Sequence, residues 1–153
     1  MTAAMMCVVD GERLTLERAI QLACAAHEGQ VYASPEREPF IVHPLRVMLA
    51  VHGRDTQVAA VLHDVLEDTR VTVDELHAYG LPDAVISAVV ALTRRDGVAY
   101  EDYIEQVALN PIARQVKAAD IEDNLTNNRR LPATPDVTAR IVRYERALIR
   151  LRL

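Results

Sequence analysis

Tryptophan is absent from the 153 residues and phenylalanine occurs once. With so few flat aromatic faces, the chain offers no stacking platform for single-stranded nucleic acid. Cysteine is scarce as well. Cys7 and Cys24 are the only two and neither sits in a CxxC, which is the pattern of reduced thiols, not of a disulfide framework. No apolar run approaches the ~18 residues of a membrane span. The N-terminal stretch MTAAMMCVVDGERL lacks the basic segment that precedes the apolar run of a signal peptide. Positive charge is in deficit, with 17 Lys and Arg against 22 Asp and Glu, a net charge of −5. That balance gives no support to binding a nucleic acid polymer or an anionic membrane. A glycine-rich Walker loop is missing too, which disfavours an ATP-driven kinase or synthetase. These absences point to a cytoplasmic globular protein that handles a small molecule. The oligomeric state is left open.

Half of the residues are hydrophobic and a quarter are charged, enough apolar chain to bury a core within one domain spanning 1–153. The apolar positions recur at helical spacing almost throughout. Thr15 can cap a helix to about His27. The polar loop GQVYASPEREPF follows. A short helix begins after Pro44 and ends at Gly53, and Asp55 can cap a helix running on to Thr69. Thr72 and Glu75 form a capping box, with Gly80 closing that helix. Pro82 opens a helix carrying Val85, Ile86 and Val89, and Tyr100 to Leu109 is helical. Asn110-Pro111 opens a helix to about Asn127, and Thr134-Pro135 opens the last, about 135–153. No convincing strand is present. The expected fold is compact and all-α, with about seven helices.

The segment from Asp55 to Thr69 is the most informative. Val58, Val61, Leu62, Val65 and Leu66 share one face, while His63, Asp64, Glu67 and Asp68 share the opposite one. His63 with Glu67, and Asp64 with Asp68, are i,i+4 neighbours. Read alone, this is the acidic stripe of an ordinary surface helix. His43 in FIVHP and Asp120 in VKAADIEDN change the weighing, because two imidazoles and two carboxylates from three helices could then meet at one cation. Such a donor set suits a first-row ion such as Mn, Fe, Co or Zn and fits Ca poorly. Asn124 follows Asp120 at i+4 on the same face.

Four sequence words carry a family resemblance: AHEGQ at 26–30, PFIVHP at 39–44, AAVLHDVLEDT at 59–69 and VKAADIEDN at 116–124. The chain resembles the HD-domain metal-dependent phosphohydrolases. It is most similar to the hydrolase half of the RelA/SpoT-type alarmone enzymes and to the single-domain alarmone hydrolases, over about residues 15–130. The resemblance implies that His43, His63, Asp64 and Asp120 hold the metal, that the metal is Mn²⁺, and that Glu67 and Asp68 activate the attacking water. It places Asn124 at the substrate and makes release of pyrophosphate from the 3′ position of ppGpp the reaction.

Two departures concern charge. The family's basic loop reads Val31-Tyr32-Ala33 here, and Ile121-Glu122-Asp123 stands where the family carries an Arg-Leu-His stretch. Both are expected to withhold positive charge from the mouth of the site. Tyr32, Arg94 and Lys117 are the remaining candidates for substrate contacts. His52 and His77 read as surface residues, and Tyr100 and Tyr103 as packing residues. The leading expectation is a metal-dependent phosphohydrolase acting on a phosphorylated nucleotide. An HD-type nucleotidase or phosphomonoesterase on another small metabolite, and a non-catalytic ligand-binding HD domain, are the alternatives.

Overall fold

A computed structural model describes residues 15–153, so Cys7 and the rest of the N-terminal stretch lie outside the described residues. Among the described residues nine helices follow one another. They are α1 (Leu16–Ala26), α2 (Val42–Ala50), α3 (Arg54–Val61), α4 (Val65–Asp68), α5 (Val73–Ala78), α6 (Asp83–Leu92), α7 (Tyr100–Ala108), α8 (Pro111–Asn128) and α9 (Pro135–Arg152). The only extended pairing among them is an isolated bridge between Val31 and Pro39, which pinches the base of the polar loop. The all-α expectation holds.

The helix starts follow local chemistry. Thr15, Thr72, Asn110 and Thr134 each accept a backbone N–H of the first turn through their side-chain oxygens. Glu75 returns the favour to the Thr72 N–H at 2.8 Å, completing the capping box. Each such cap satisfies a donor that the helix itself leaves orphaned, for about 1 kcal/mol. Gly80 closes α5 with a φ of +77°, a region that residues with a Cβ rarely adopt.

Three boundaries differ from the sequence reading. First, α2 begins at Val42, two residues before Pro44, so His43 lies inside its first turn. Proline is tolerated there because the first-turn N–H groups have no intrahelical partner anyway. Second, Gly53 (φ +90°) caps α3, and Asp55 sits in its first turn. Third, the single helix expected over 55–69 is broken. Leu62 and Asp64 adopt φ near −100° with ψ near 0°, and the N–H of His63 and of Val65 reach back three residues, not four. This tight turn separates α3 from α4, so that one segment read as a single helix gives two of the nine.

The hydrophobic core forms around α3 and α8. Helix α3 packs against α1, α2, α6 and α8, and α8 also touches α2, α6, α7 and α9. Ala59, Ala60, Val61, Leu62 and Val65 are fully buried, as are Val85, Val89, Val116 and Ile121. Burying each of the larger side chains contributes roughly 1.5–3 kcal/mol. On α9 Leu151 is buried, and Ile141, Tyr144 and Leu148 pack partly against the core.

Candidate metal centre

The α3–α4 turn positions His63. By tightening the backbone it swings the imidazole inward, and only 2% of the residue is exposed. His63 Nδ1 lies 2.7 Å from the Ala60 carbonyl oxygen. A carbonyl can only accept, so Nδ1 carries the hydrogen and Nε2 of the neutral ring presents a lone pair. That lone pair faces Asp64 Oδ2 at 3.0 Å and Asp120 Oδ1 at 3.5 Å. The sequence reading set His63 on a polar face opposite the apolar stripe. The structure instead buries His63 and leaves Asp64 half-buried, while Glu67 and Asp68 stay at the surface.

His43 repeats the arrangement from α2. Its Nδ1 donates to Asp123 Oδ2 at 2.7 Å. Its Nε2 stands 3.1 Å from Asp120 Oδ1 and 3.7 Å from Asp64 Oδ2. One donor atom each from His43, His63 and Asp120 falls within 4.8 Å of the others, and Asp64 Oδ2 lies beside both imidazoles. Two lone pairs thus point at two carboxylates in a buried space. Acceptor facing acceptor is unfavourable unless positive charge sits between them, as a proton on each ring or as one cation. Burial alone would push both imidazoles down, but Asp64 and Asp120 outweigh it at His63 and hold that ring well above its ordinary value, and Asp120 and Asp123 hold His43 above its own. Burial would raise Asp120, yet Lys117 and the two histidines keep it well below the usual carboxylate range. Buried imidazole and carboxylate donors in this arrangement fit a divalent first-row metal.

Glu67 and Asp68 lie on α4, one turn beyond Asp64, and both are exposed. Burial of their carboxyl groups and the nearby Asp64 charge push both up from the ordinary value. Glu67 accepts the Arg94 N–H at 3.1 Å, which ties it to the turn after α6. Gln30 donates to the Asp68 carbonyl at 2.9 Å and meets His27 Nδ1 at 2.8 Å, so the AHEGQ word braces the acidic pair. An open cleft of about 640 Å³ lies beside them, lined by Gln30, Glu67, Asp68, Arg70 and Glu75 among others.

The four expected substrate residues are placed differently. Asn124 donates to Asp120 Oδ1 and accepts from the Tyr32 hydroxyl, both at 2.7 Å. Tyr32 stacks on His43 with ring centroids 4.8 Å apart and an interplanar angle of 6°. Both therefore adjoin the cluster, with their polar atoms engaged. Lys117 is turned inward, 2.7 Å from Asp120 Oδ2 and over the Tyr103 ring. The Arg94 side chain folds onto the Val98 carbonyl. His52 and His77 are exposed, as expected, and Tyr103 is buried, donating to the Leu92 carbonyl.

Sequence reasoning missed Arg46. Its guanidinium grips Asp123 through Nε at 2.6 Å and a terminal nitrogen at 3.0 Å, and reaches Glu38 at 2.6 Å. Asp123 is thus neutralised and employed, not a bare negative charge at the mouth. The signal was present but split: Arg46 follows His43, and Asp123 follows Asp120, each by three residues.

No family model matches the chain. It is 35% identical over 140 residues to a probable GTP pyrophosphokinase of Mycobacterium leprae, an alignment that covers 84% of this chain and 17% of that protein. It is 35% identical over 112 residues to the guanosine-3′,5′-bis(diphosphate) 3′-pyrophosphohydrolase of Vibrio cholerae, covering 71% of this chain and 15% of the relative. The chain therefore spans about a sixth of the length of these relatives. Among solved structures it superposes on a metazoan ortholog of SpoT described as hydrolysing ppGpp. The TM-score is 0.76 at 22% identity, covering 94% of this chain and 88% of the other. The resemblance carried by the four sequence words is borne out: the chain is similar over most of its length to the alarmone enzymes and shares the all-α HD-domain fold of their hydrolase.

Proposed function

We propose that this chain is a divalent-metal-dependent phosphohydrolase that releases pyrophosphate from the 3′ position of a ppGpp-like nucleotide, working in the cytoplasm. The observation that carries this reading is the buried convergence of His43, His63, Asp64 and Asp120, with both histidine lone pairs aimed at carboxylates. These four residues hold the metal in this reading, and Mn²⁺ is the ion we assign. The relatives named for hydrolysis of guanosine-3′,5′-bis(diphosphate) support the substrate. The pyrophosphokinase name of another relative is not carried over, since the chain matches only 17% of that protein.

When bound, the metal polarises phosphoryl oxygens and lowers the pKa of water. The protein supplies the remaining work. Glu67 and Asp68, exposed and outside the ligand ring, accept the proton of the attacking water. Their raised affinity for protons brings them nearer the operating pH of a general base. The Arg94 N–H holds the Glu67 carboxylate, and Gln30 holds the Asp68 backbone carbonyl, so that both residues keep their place beside the ring. Water adds to the phosphorus attached to the 3′ oxygen, the bond between that phosphorus and the 3′ oxygen breaks, and the proton taken by the carboxylate passes to the 3′ oxygen, so that pyrophosphate leaves and the 3′-hydroxyl is restored.

One observation favours a second reading, a phosphomonoesterase on a less charged metabolite. Lys117, Arg94 and Arg46 are all committed to protein partners, and the 31–33 loop is neutral. A charge-assisted contact to phosphate contributes about 1.5–3 kcal/mol, so each one withheld costs a highly anionic substrate most. The test is turnover by metal-stripped protein reloaded with Mn²⁺, on ppGpp beside a panel of 5′-monophosphates. Pyrophosphate release from ppGpp supports the first reading. Orthophosphate release from monophosphates with ppGpp left intact selects the second.

A further inference from the structure

The two histidines of the cluster are held by different means. His63 is fixed within its own turn, by a backbone carbonyl three residues away. No side chain of another element is needed. His43 has no such backbone anchor for Nδ1. Its ring edge depends on Asp123, which comes from α8, eighty residues further along the chain. Asp123 is in turn clamped by the Arg46 fork, which returns to α2 one turn beyond His43. Glu38 from the polar loop takes the remaining arm of Arg46. Tyr32 stacks on the face of the same imidazole, and the Arg46 guanidinium lies 5.5 Å above the Tyr32 ring. His43 is therefore gripped on one edge and one face by a closed set of side chains.

This set does two things that a lone carboxylate would not. An Asp accepting from Nδ1 fixes the tautomer, so that Nε2 presents its lone pair to the cluster, and it orients the ring. The bidentate guanidinium fixes the carboxylate itself and cancels its charge, so a third acid beside Asp64 and Asp120 adds no net repulsion. We propose that Asp123, locked by Arg46, is a positioning residue for His43, and that this pair, not a substrate contact, is the function of both side chains. The proposal rests on the divalent-metal reading of the cluster.

Binding of Co²⁺ to the metal-stripped full chain tests it, because the visible spectrum of bound Co²⁺ reports ligand geometry independently of turnover. Asp123→Ala should weaken Co²⁺ binding by about 10–100-fold and alter the spectrum. Asp123→Asn keeps an acceptor for Nδ1 and should fall between Ala and the unmodified protein. Arg46→Met leaves the acceptor but frees it, and should weaken binding less than Asp123→Ala while broadening the spectrum. Unchanged affinity and spectrum in both Asp123→Asn and Arg46→Met overturn the proposal, whether or not Asp123→Ala folds. Arg46→Met that binds Co²⁺ normally but raises KM for ppGpp at constant kcat overturns it too, and makes Arg46 a substrate contact. If the unmodified protein binds no stoichiometric divalent metal, the metal reading itself fails and takes this proposal with it.

Discussion

On α8, Val116 and Ile121 are fully buried in the apolar core, while their immediate chain neighbours Lys117 and Asp120 are held against each other beside two imidazoles. The same division runs through the α3–α4 segment, where Leu62 and Val65 pack apolar and His63 and Asp64 face the cluster. Two interiors therefore share the same helices under opposite rules. The apolar side stabilises by removing surface from water. The polar side is tolerable only because nearly every group has a partner of opposite charge or a hydrogen bond. The apolar side specifies the fold, and the polar side spends part of the resulting stability on a cation site.

The largest separation between the two should appear in turnover. Glu67→Gln or Asp68→Asn should lower kcat by about 10²–10⁴-fold with metal content unchanged, as read by elemental analysis beside steady-state kinetics. His63→Ala should lose the metal together with the activity. Loss of metal from the Glu67 or Asp68 variants would move those carboxylates into the ligand ring and erase the distinction.

Stability should respond next, and from the other side. Leu62→Ala opens a cavity in the apolar interior and should cost about 2–5 kcal/mol in urea unfolding, with the metal affinity of the folded protein retained. Lys117→Met should cost the metal-free protein less, about 1–3 kcal/mol, because His43 and His63 still flank Asp120. Saturating divalent metal at a hundredfold excess over Kd should add about 2.7 kcal/mol to the unmodified protein and almost nothing to His63→Ala. Equal metal stabilisation in the two proteins would place the cation elsewhere.

The smallest effect concerns pH. The native Glu67 and Asp68 carboxyls bind protons more tightly than their unfolded counterparts, so their contribution to stability is full at low pH. It is lost as pH rises through their raised native values. Glu67→Gln should therefore raise the Tm of the metal-free protein slightly at neutral pH while abolishing most turnover. The acid limb of kcat against pH should lie above the ordinary carboxylate range. An acid limb at or below that range would remove these residues from the proton transfer.

Much of this was legible in residue order, and for identifiable reasons. Caps at Thr15, Thr72, Asn110 and Thr134 act within a few residues, so local sequence reports them faithfully. The recurrence of His43, His63-Asp64 and Asp120 on separate helical segments marked a candidate ring, because imidazoles and carboxylates together are chemically conspicuous. The break at 62–64 was hidden, because the apolar period continues across it and the turn is chosen by tertiary packing around His63. Lys117 and Arg46 were hidden for a different reason. Their partners depend on which way a long side chain turns between packed helices, and no local pattern encodes that.

The stacked contact of Tyr32 on His43 has a practical consequence when joined to the absence of tryptophan. In most proteins indole drains and masks the emission of tyrosine. Here no indole competes with the five tyrosines, and one of them stacks on an imidazole of the candidate centre, its hydroxyl hydrogen-bonded to Asn124. Occupation of the centre should change the quantum yield of that ring. The protein thus carries its own optical gauge, and Tyr32→Phe provides the reference trace against which to read it.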